Sequence, residues 1–235
     1  MTDYASLLPW LFGIGVVAVL VGGYLLDRKR RERIMTFCVA RGWRYVDEDL
    51  TVVGRYSGEP FGRGDRRRAR NVIRGNECGR DFIAFDYSFQ THSTDSKGHR
   101  NTTTHHFAIY AVTLPAYLPT LEVCPEGIFG KLADAVGLTS DIDLESEDFN
   151  RAFKVRAADR KFATDVLSPR TMQYLLTAPS AAWRIQGDGM LRWKSGRLDP
   201  ADIVVSTSVL DRVADGIPAF VWKDHQNQPG YDPLT

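Results

Sequence analysis

The sequence predicts an α+β protein: an N-terminal transmembrane helix followed by a mainly antiparallel-sheet domain with several packed helices. Three observations carry this. Leu7 to Leu26 contain no charged residue. Ile83, Phe85, Tyr87 and Phe89 alternate with Phe82, Ala84, Asp86 and Ser88, the period of a strand. Strands of this kind and helices opened by Ser168-Pro169 and Asp199-Pro200 do not alternate regularly, as a doubly wound parallel sheet requires. The expected organisation is a short extracytoplasmic tail at 1–6, a transmembrane helix at 7–26, a basic juxtamembrane helix at 27–42, a cytoplasmic α+β domain at 43–223 and a flexible tail at 224–235.

The opening segment comes first. Twenty residues at about 1.5 Å each reach roughly 30 Å, the thickness of a hydrocarbon core. Trp10 and Tyr24 stand near its ends, where amphipathic rings favour the headgroup level. A secretory leader needs a basic start and a small-residue cleavage site. Here Asp3 precedes the run, and Asp27-Arg28-Lys29-Arg30-Arg31-Glu32-Arg33 follows it. All five of the flanking basic residues lie on the C-terminal side. Positive residues stay on the cytoplasmic side, so residues 27–235 are expected to face the cytoplasm and the N-terminus to lie outside the cell membrane. Gly15, Ala18 and Gly22 share a face, as is common in membrane spans.

Beyond the span, Ile34, Phe37, Cys38 and Arg41 fit one face of a continuing helix that Gly42 ends. Residues 43–61 are strand-like. Strands at Asp81–Phe89 and His106–Leu114 form a hairpin around a long, polar, mobile loop, and "TLEVCPE" suits a further short strand. Ile128, Leu132 and Val136 give a helix ending at Gly137, and "AFKVRA" a strand. Ser168 and Asp199 cap helices whose first residues are prolines, the second stopping at Gly216. Between them, "WRIQGDGMLRWKSG" reads as a hairpin turning at Gly187-Asp188-Gly189.

Composition narrows the chemistry. A formal net charge of +1 disfavours a dedicated nucleic-acid binder, so no nucleic-acid partner is expected. Three scattered cysteines, Cys38, Cys78 and Cys124, form no disulfide framework and suit a reducing compartment. His92, His99, His105 and His106 cluster in or beside the hairpin loop, but their spacing matches no zinc signature and the loop is flexible, so no metal or other cofactor is expected. The run Arg63, Arg66, Arg67, Arg68, Arg70 and Arg74 admits three readings: contact with anionic headgroups, a solvated edge, or a phosphate or RNA patch. The acidic run "DIDLESEDF" fails an EF-hand test at Ser146 and Ala152 and reads as a solvated linker. No phosphate-binding loop, dinucleotide fingerprint, zincin motif or nucleophile elbow is present, and no catalytic residue is singled out.

The phrases "PFGRGDRRRARNVIRGNECGRDFIAFDYSF", "PAYLPTLEVCPEG", "FNRAFKVRAADRKFATDVLSPRTMQYLL" and "DGIPAFVW", with the Trp183–Trp193 segment, are spread along the chain from residue 60 to residue 222. On them it resembles an uncharacterised family of actinobacterial single-pass membrane proteins. The resemblance implies a high-G+C Gram-positive source and no particular activity.

The expectation is therefore a membrane-anchored, non-enzymatic module that docks a protein or a lipid surface. Arg28, Lys29, Arg30, Arg31, Arg33, Arg66, Arg67 and Arg68 are its candidate lipid contacts. The alternative is an enzyme, a hydrolase or a metal-dependent protein, with a site assembled from scattered polar residues. A pocket of convergent polar groups with shifted pKa values would favour it.

Overall fold

The computed structural model describes residues 8–95, 98–126 and 142–225, the side chains of 8–14 and 16 excepted. The chain divides into two compact units, Met1–Gly42 and Trp43–Thr235.

The first unit is one helix, α1 (Leu8–Arg41). The sequence separates a span at 7–26 from a basic segment at 27–42; the backbone runs through both without a break. Val19, Leu20 and Val21 are all exposed, as are Val17, Tyr24, Leu25 and Leu26. Successive residues point about 100° apart, so this apolar surface is not a single stripe. Among the described residues no helix is long and apolar enough to cross a membrane. Part of the uncharged run Leu7–Leu26 lies outside the residues whose side chains are described. Arg28 pairs with Glu32 at 3.0 Å and Arg31 with Asp27 at 3.3 Å, both one turn apart, each worth a few tenths of a kcal/mol. Gly42 follows at φ +69°, the left-handed position that ends helices.

The second unit is built on one antiparallel sheet of six strands in the order β1-β2-β3-β4-β5, with β6 also on β4. These are β1 (Arg44–Glu48), β2 (Asp65–Glu77), β3 (Arg80–Thr94), β4 (Arg100–Pro125), β5 (Phe153–Ala157) and β6 (Ala182–Ser195). β4 is the spine. At Ala108 it pairs with Asp86 and Lys194, and at Leu121 with Ala157 and Ile185. So β6 runs along one edge of β4, while β3 and β5 share the other. The helices are α2 (Glu147–Ala152), α3 (Arg160–Val166), α4 (Pro169–Thr177), α5 (Pro200–Asp215) and α6 (Ala219–His225). Both α5 and α6 pack against β4. On the other face Val52, Tyr56 and Phe61, from the segment between β1 and β2, pack into a core with Phe85, Tyr87, Ile109, Leu191 and Trp193.

The α+β class with a mainly antiparallel sheet stands, and four details are corrected. The stretch at 90–105 is not a long loop. Thr94 pairs with Arg100, so the hairpin turns within 95–99. Its two strands are polar on both faces and carry no alternation to read. The Trp183–Trp193 segment is not a hairpin but part of one continuous strand, β6, paired antiparallel with β4 on both sides of two register shifts. "TLEVCPE" is the end of β4 rather than a separate strand. The arginine run is mostly β2, whose segment from Arg70 to Arg74 lies between β1 and β3 and so is no edge.

The helix caps follow the reading. Ser168 accepts from Thr171 N and Asp199 from Ala201 N, each before a proline in the first turn. The acidic run contains a helix start: Ser146 caps α2, and Glu147 and Asp148 occupy its first turn, the favourable end of the helix dipole for anions. The helix expected around Ile128–Val136 lies outside the described residues, as do 226–235 of the expected tail. The expected tail begins inside α6, which runs to His225. Cys38, Cys78 and Cys124 are free thiols.

Candidate functional site

Two prolines shape the site. Pro lacks an N–H and cannot serve an uninterrupted ladder. β4 carries Pro115 and Pro119, and its register against β6 breaks beside each. Thr113 pairs with Gly189 and Leu118 with Gly187, so four residues of β4 face one of β6. Leu118 and Leu121 then pair with Gly187 and Ile185, two residues against one. Such bulges bend a strand and shift its side chains to the other face. Opposite the break, Gly187 adopts φ +62°, and a Cβ there would stand 2.7 Å from the Tyr117 ring. A glycine is thus required on both conformational and steric grounds.

The broken pairing opens a cleft of about 800 Å³ lined by Thr51, Arg55, Ser57, Tyr117, Gln186 and Asp188, among others. A second hollow of about 370 Å³ shares Arg55, Tyr56 and Arg74 with it and continues to Asp81 and Phe82. The cleft's charges come in pairs. Arg55 Nη2 lies 3.6 Å from Asp188 Oδ2, and Arg74 Nη2 donates to Asp49 Oδ2 at 2.9 Å. The Thr51 hydroxyl also donates to Asp49, at 2.6 Å. That hydrogen bond above all, with Arg74 adding to it against a burial penalty, holds the Asp49 carboxyl below its usual range. Gln186 binds Ser57 twice: its Oε1 accepts from the Ser57 amide at 3.2 Å, and its Nε2 donates to the Ser57 hydroxyl. Burial pushes the Tyr56 phenol up to about 12. Both shifts carry their groups away from neutrality, the wrong direction for general acid–base work.

Beneath the cleft wall lies a buried ion pair. Arg184 and Glu122 face each other across β6 and β4 and are each about 2% exposed. Arg184 Nε donates to Glu122 Oε2 at 2.7 Å, and its Nη2 donates to the same oxygen. The rest of the guanidinium serves the loop: Nη1 donates to Ser57 O and Nη2 to Glu59 O. Its carbon stands 5.1 Å over the Trp193 ring. Cys124 donates to Glu122 Oε1 at 3.5 Å. Burial, then the adjacent carboxylate, raises the Cys124 pKa, so this thiol is no nucleophile at neutral pH.

The sequence's candidate residues lie elsewhere. Arg28, Lys29, Arg30, Arg31 and Arg33 are on α1. Arg66 is exposed at φ 50°, in the bulge between Asp65 and Arg68. Arg67 spends its guanidinium on the carbonyls of Gly62, Arg63 and Gly64, closing that turn. Arg68 stands 3.8 Å from Glu48 and Arg63 2.6 Å from Glu59. Of the run, Arg74 alone lines the cleft. Arg66 is thus its most available charge. A fragment beginning at Trp43 should bind anionic vesicles weakly, and Arg66→Ser should remove about 1 kcal/mol, the value of one headgroup contact. Sedimentation with phosphatidylglycerol vesicles at low and high salt checks this; equal binding by fragment and variant would mark Arg66 as merely solvated.

The histidines do not converge. His92 pairs with Thr102, while His105 pairs with Phe89 and His106 with Ser88. His92 and His105 therefore point to opposite faces of the ribbon. His92 meets the Thr102 hydroxyl at 2.9 Å, and His105 meets the Thr91 hydroxyl at 2.9 Å while stacking on Phe89. Among the described residues no three His, Cys, Asp or Glu side chains come together to hold a metal ion.

Arg55, Ser57, Tyr117, Gln186 and Asp188 are missed by the sequence reading. Their one local signal is the pair of prolines, Pro115 and Pro119, inside the mainly apolar part of β4 that begins at Phe107.

No family model matches the chain, and no curated protein matches it. Among solved structures it is similar to the mycobacterial trehalose monomycolate transport factor A, TtfA, at 12% identity and a TM-score of 0.61, over 80% of this chain and 94% of that one. At that identity the likeness is one of fold, shared with a protein of actinobacterial origin.

Proposed function

We propose that the chain is a membrane-anchored docking module, non-enzymatic, whose second unit holds a lipid headgroup or a partner at the cytoplasmic face of the cell membrane. One observation carries the reading. The described apolar side chains of α1 are exposed in successive directions around the helix and give way at once to five basic residues. Exposed apolar surface of this kind calls for a covering medium, and the basic block assigns its side. TtfA is by its name a transport factor, and the shared fold supports a transport-associated or lipid-docking task. Arg28, Lys29, Arg30, Arg31 and Arg33 then lie at headgroup level, and Arg66, the most available charge of the second basic run, adds a contact for anionic lipid.

A reporter active only outside the membrane, fused after Thr235, should be silent in the parent chain. Moving the basic block ahead of Leu7 should turn it on, because the bias of Lys and Arg sets orientation. Strong activity in the parent would overturn the reading.

A further inference from the structure

We infer that the cleft between the 49–57 segment and the interrupted β4–β6 pairing binds a neutral polyhydroxylated group of one or two sugar rings, either as a free sugar or as a glycolipid headgroup. The inference rests on the docking reading and names the chemistry of its site.

Charge comes first. The cleft holds two arginines, and each already faces a carboxylate, Arg55 with Asp188 and Arg74 with Asp49. An anionic ligand must displace a carboxylate or sit beside it, and a cationic one must do the same to an arginine. A hydroxyl group both donates and accepts, so it joins such a pair without breaking it. A ligand with many hydroxyls and no charge is therefore the chemistry that two paired ions accept at least cost.

The remaining lining agrees. Gln186 from β6 and Ser57 and Thr51 from the facing segment add amide and hydroxyl groups to the lining. Planar side chains such as guanidinium, carboxylate and amide make paired hydrogen bonds, which suit vicinal hydroxyls. The half-buried ring of Tyr117 lines the same space, offering apolar surface for the C–H side of a sugar. Gly187 leaves room for that ring.

Size and access agree as well. About 800 Å³ lies within the roughly 300–1,000 Å³ of small-molecule sites. The side chains of Arg55 and Asp188 are 45% and 62% exposed. The mouth is therefore open, and the rest of a larger molecule can stay outside.

The test uses the full chain in detergent micelles, titrated with glucose, maltose and trehalose and followed by saturation-transfer NMR and calorimetry. Saturable binding of at least one sugar is expected. Arg55→Gln and Asp188→Asn should each weaken it about tenfold while leaving the melting temperature unchanged, since both side chains are largely exposed. Nanodiscs with and without a lipid bearing a neutral disaccharide head form the second arm. Capture that needs this lipid, in the absence of free-sugar binding, identifies a headgroup site; saturable free-sugar binding identifies a site for the sugar itself. No saturable binding in either arm overturns the inference. So does binding indifferent to both substitutions, or a site that inorganic phosphate fills in preference to sugar. The reporter at Thr235 reads orientation without any sugar, so failure of the anchor and failure of the cleft are told apart.

Discussion

Replacing Glu122 with Ala is expected to destabilise the second unit by about 3–5 kcal/mol, the cost of leaving one buried charge without its partner. Arg184 would keep its place between β6 and the 57–59 loop, about 2% exposed, with no anion to neutralise it. The unit contains residues 43–235, a size at which each kcal/mol moves the melting temperature by about 2–4 °C. A fall of roughly 6–20 °C follows. The pair as a whole is worth far less than either half suggests, because its attraction is offset by desolvation of both ions. The double substitution Glu122→Leu with Arg184→Met should therefore recover much of the loss. It should not recover the loop: Ser57 O and Glu59 O keep their donors when Glu122 alone is replaced and lose them once Arg184 becomes Met. Protease cleavage between Arg55 and Arg63 should accelerate in the double variant even where global stability returns. Urea unfolding of parent, single and double variants checks the first part, and timed trypsin digestion the second. A double variant as unstable as the single one would show that the pair's worth lies in the contacts to the loop.

The parts that were legible in the sequence are those specified within a few residues. Ser168-Pro169 and Asp199-Pro200 carry cap and first-turn proline side by side, and both helices begin there. The strand at 81–89 keeps its alternation because its pairing with β4 runs without a shift from Phe82 to Thr94. β2 and β6 were misread because each changes face midway. Ala69 and Val72 both enter the same core although an odd number of residues apart, the alternation being reset where Asn71 takes φ 49°. Ala182 and Leu191 do the same on either side of Gly187. A bulge of this kind destroys the period-two signal while preserving the strand. In β6 the reset uses Gly-Asp-Gly, the residues that also make tight turns, and only the partner strand decides between the two. The cleft is less legible still. Arg55 and Asp188 meet only because β6 lies along β4 and the segment after β1 folds back over the sheet. No local pattern encodes that meeting.

Phe61→Ala is expected to cost about 3–5 kcal/mol, the range for truncating a buried aromatic side chain. Phe61 is 2% exposed. Its ring centroid lies 4.8 Å from that of Tyr87, 5.4 Å from Tyr56 and 6.4 Å from Phe85. It therefore fastens the segment between β1 and β2 to the sheet from one end, as Arg184 does from the middle. Truncation leaves a void that the flanking rings fill incompletely, because packed interiors relax only in part. Phe61→Leu keeps most of the volume and should cost markedly less. The effect extends to the cleft. Thr51, Arg55 and Ser57 stand on the same segment, so loosening it should enlarge the cleft's mouth and weaken ligand capture without removing any lining group. Amide hydrogen exchange should then rise over residues 49–64 in Phe61→Ala, while the β3–β4 pairing at Phe82–Val112 stays protected. Urea midpoints of parent and both variants set the energy. A loss below about 1 kcal/mol, with exchange unchanged, would mean that the segment is held by its hydrogen bonds to Arg184 and Gln186 and that the aromatic stack beneath it is secondary.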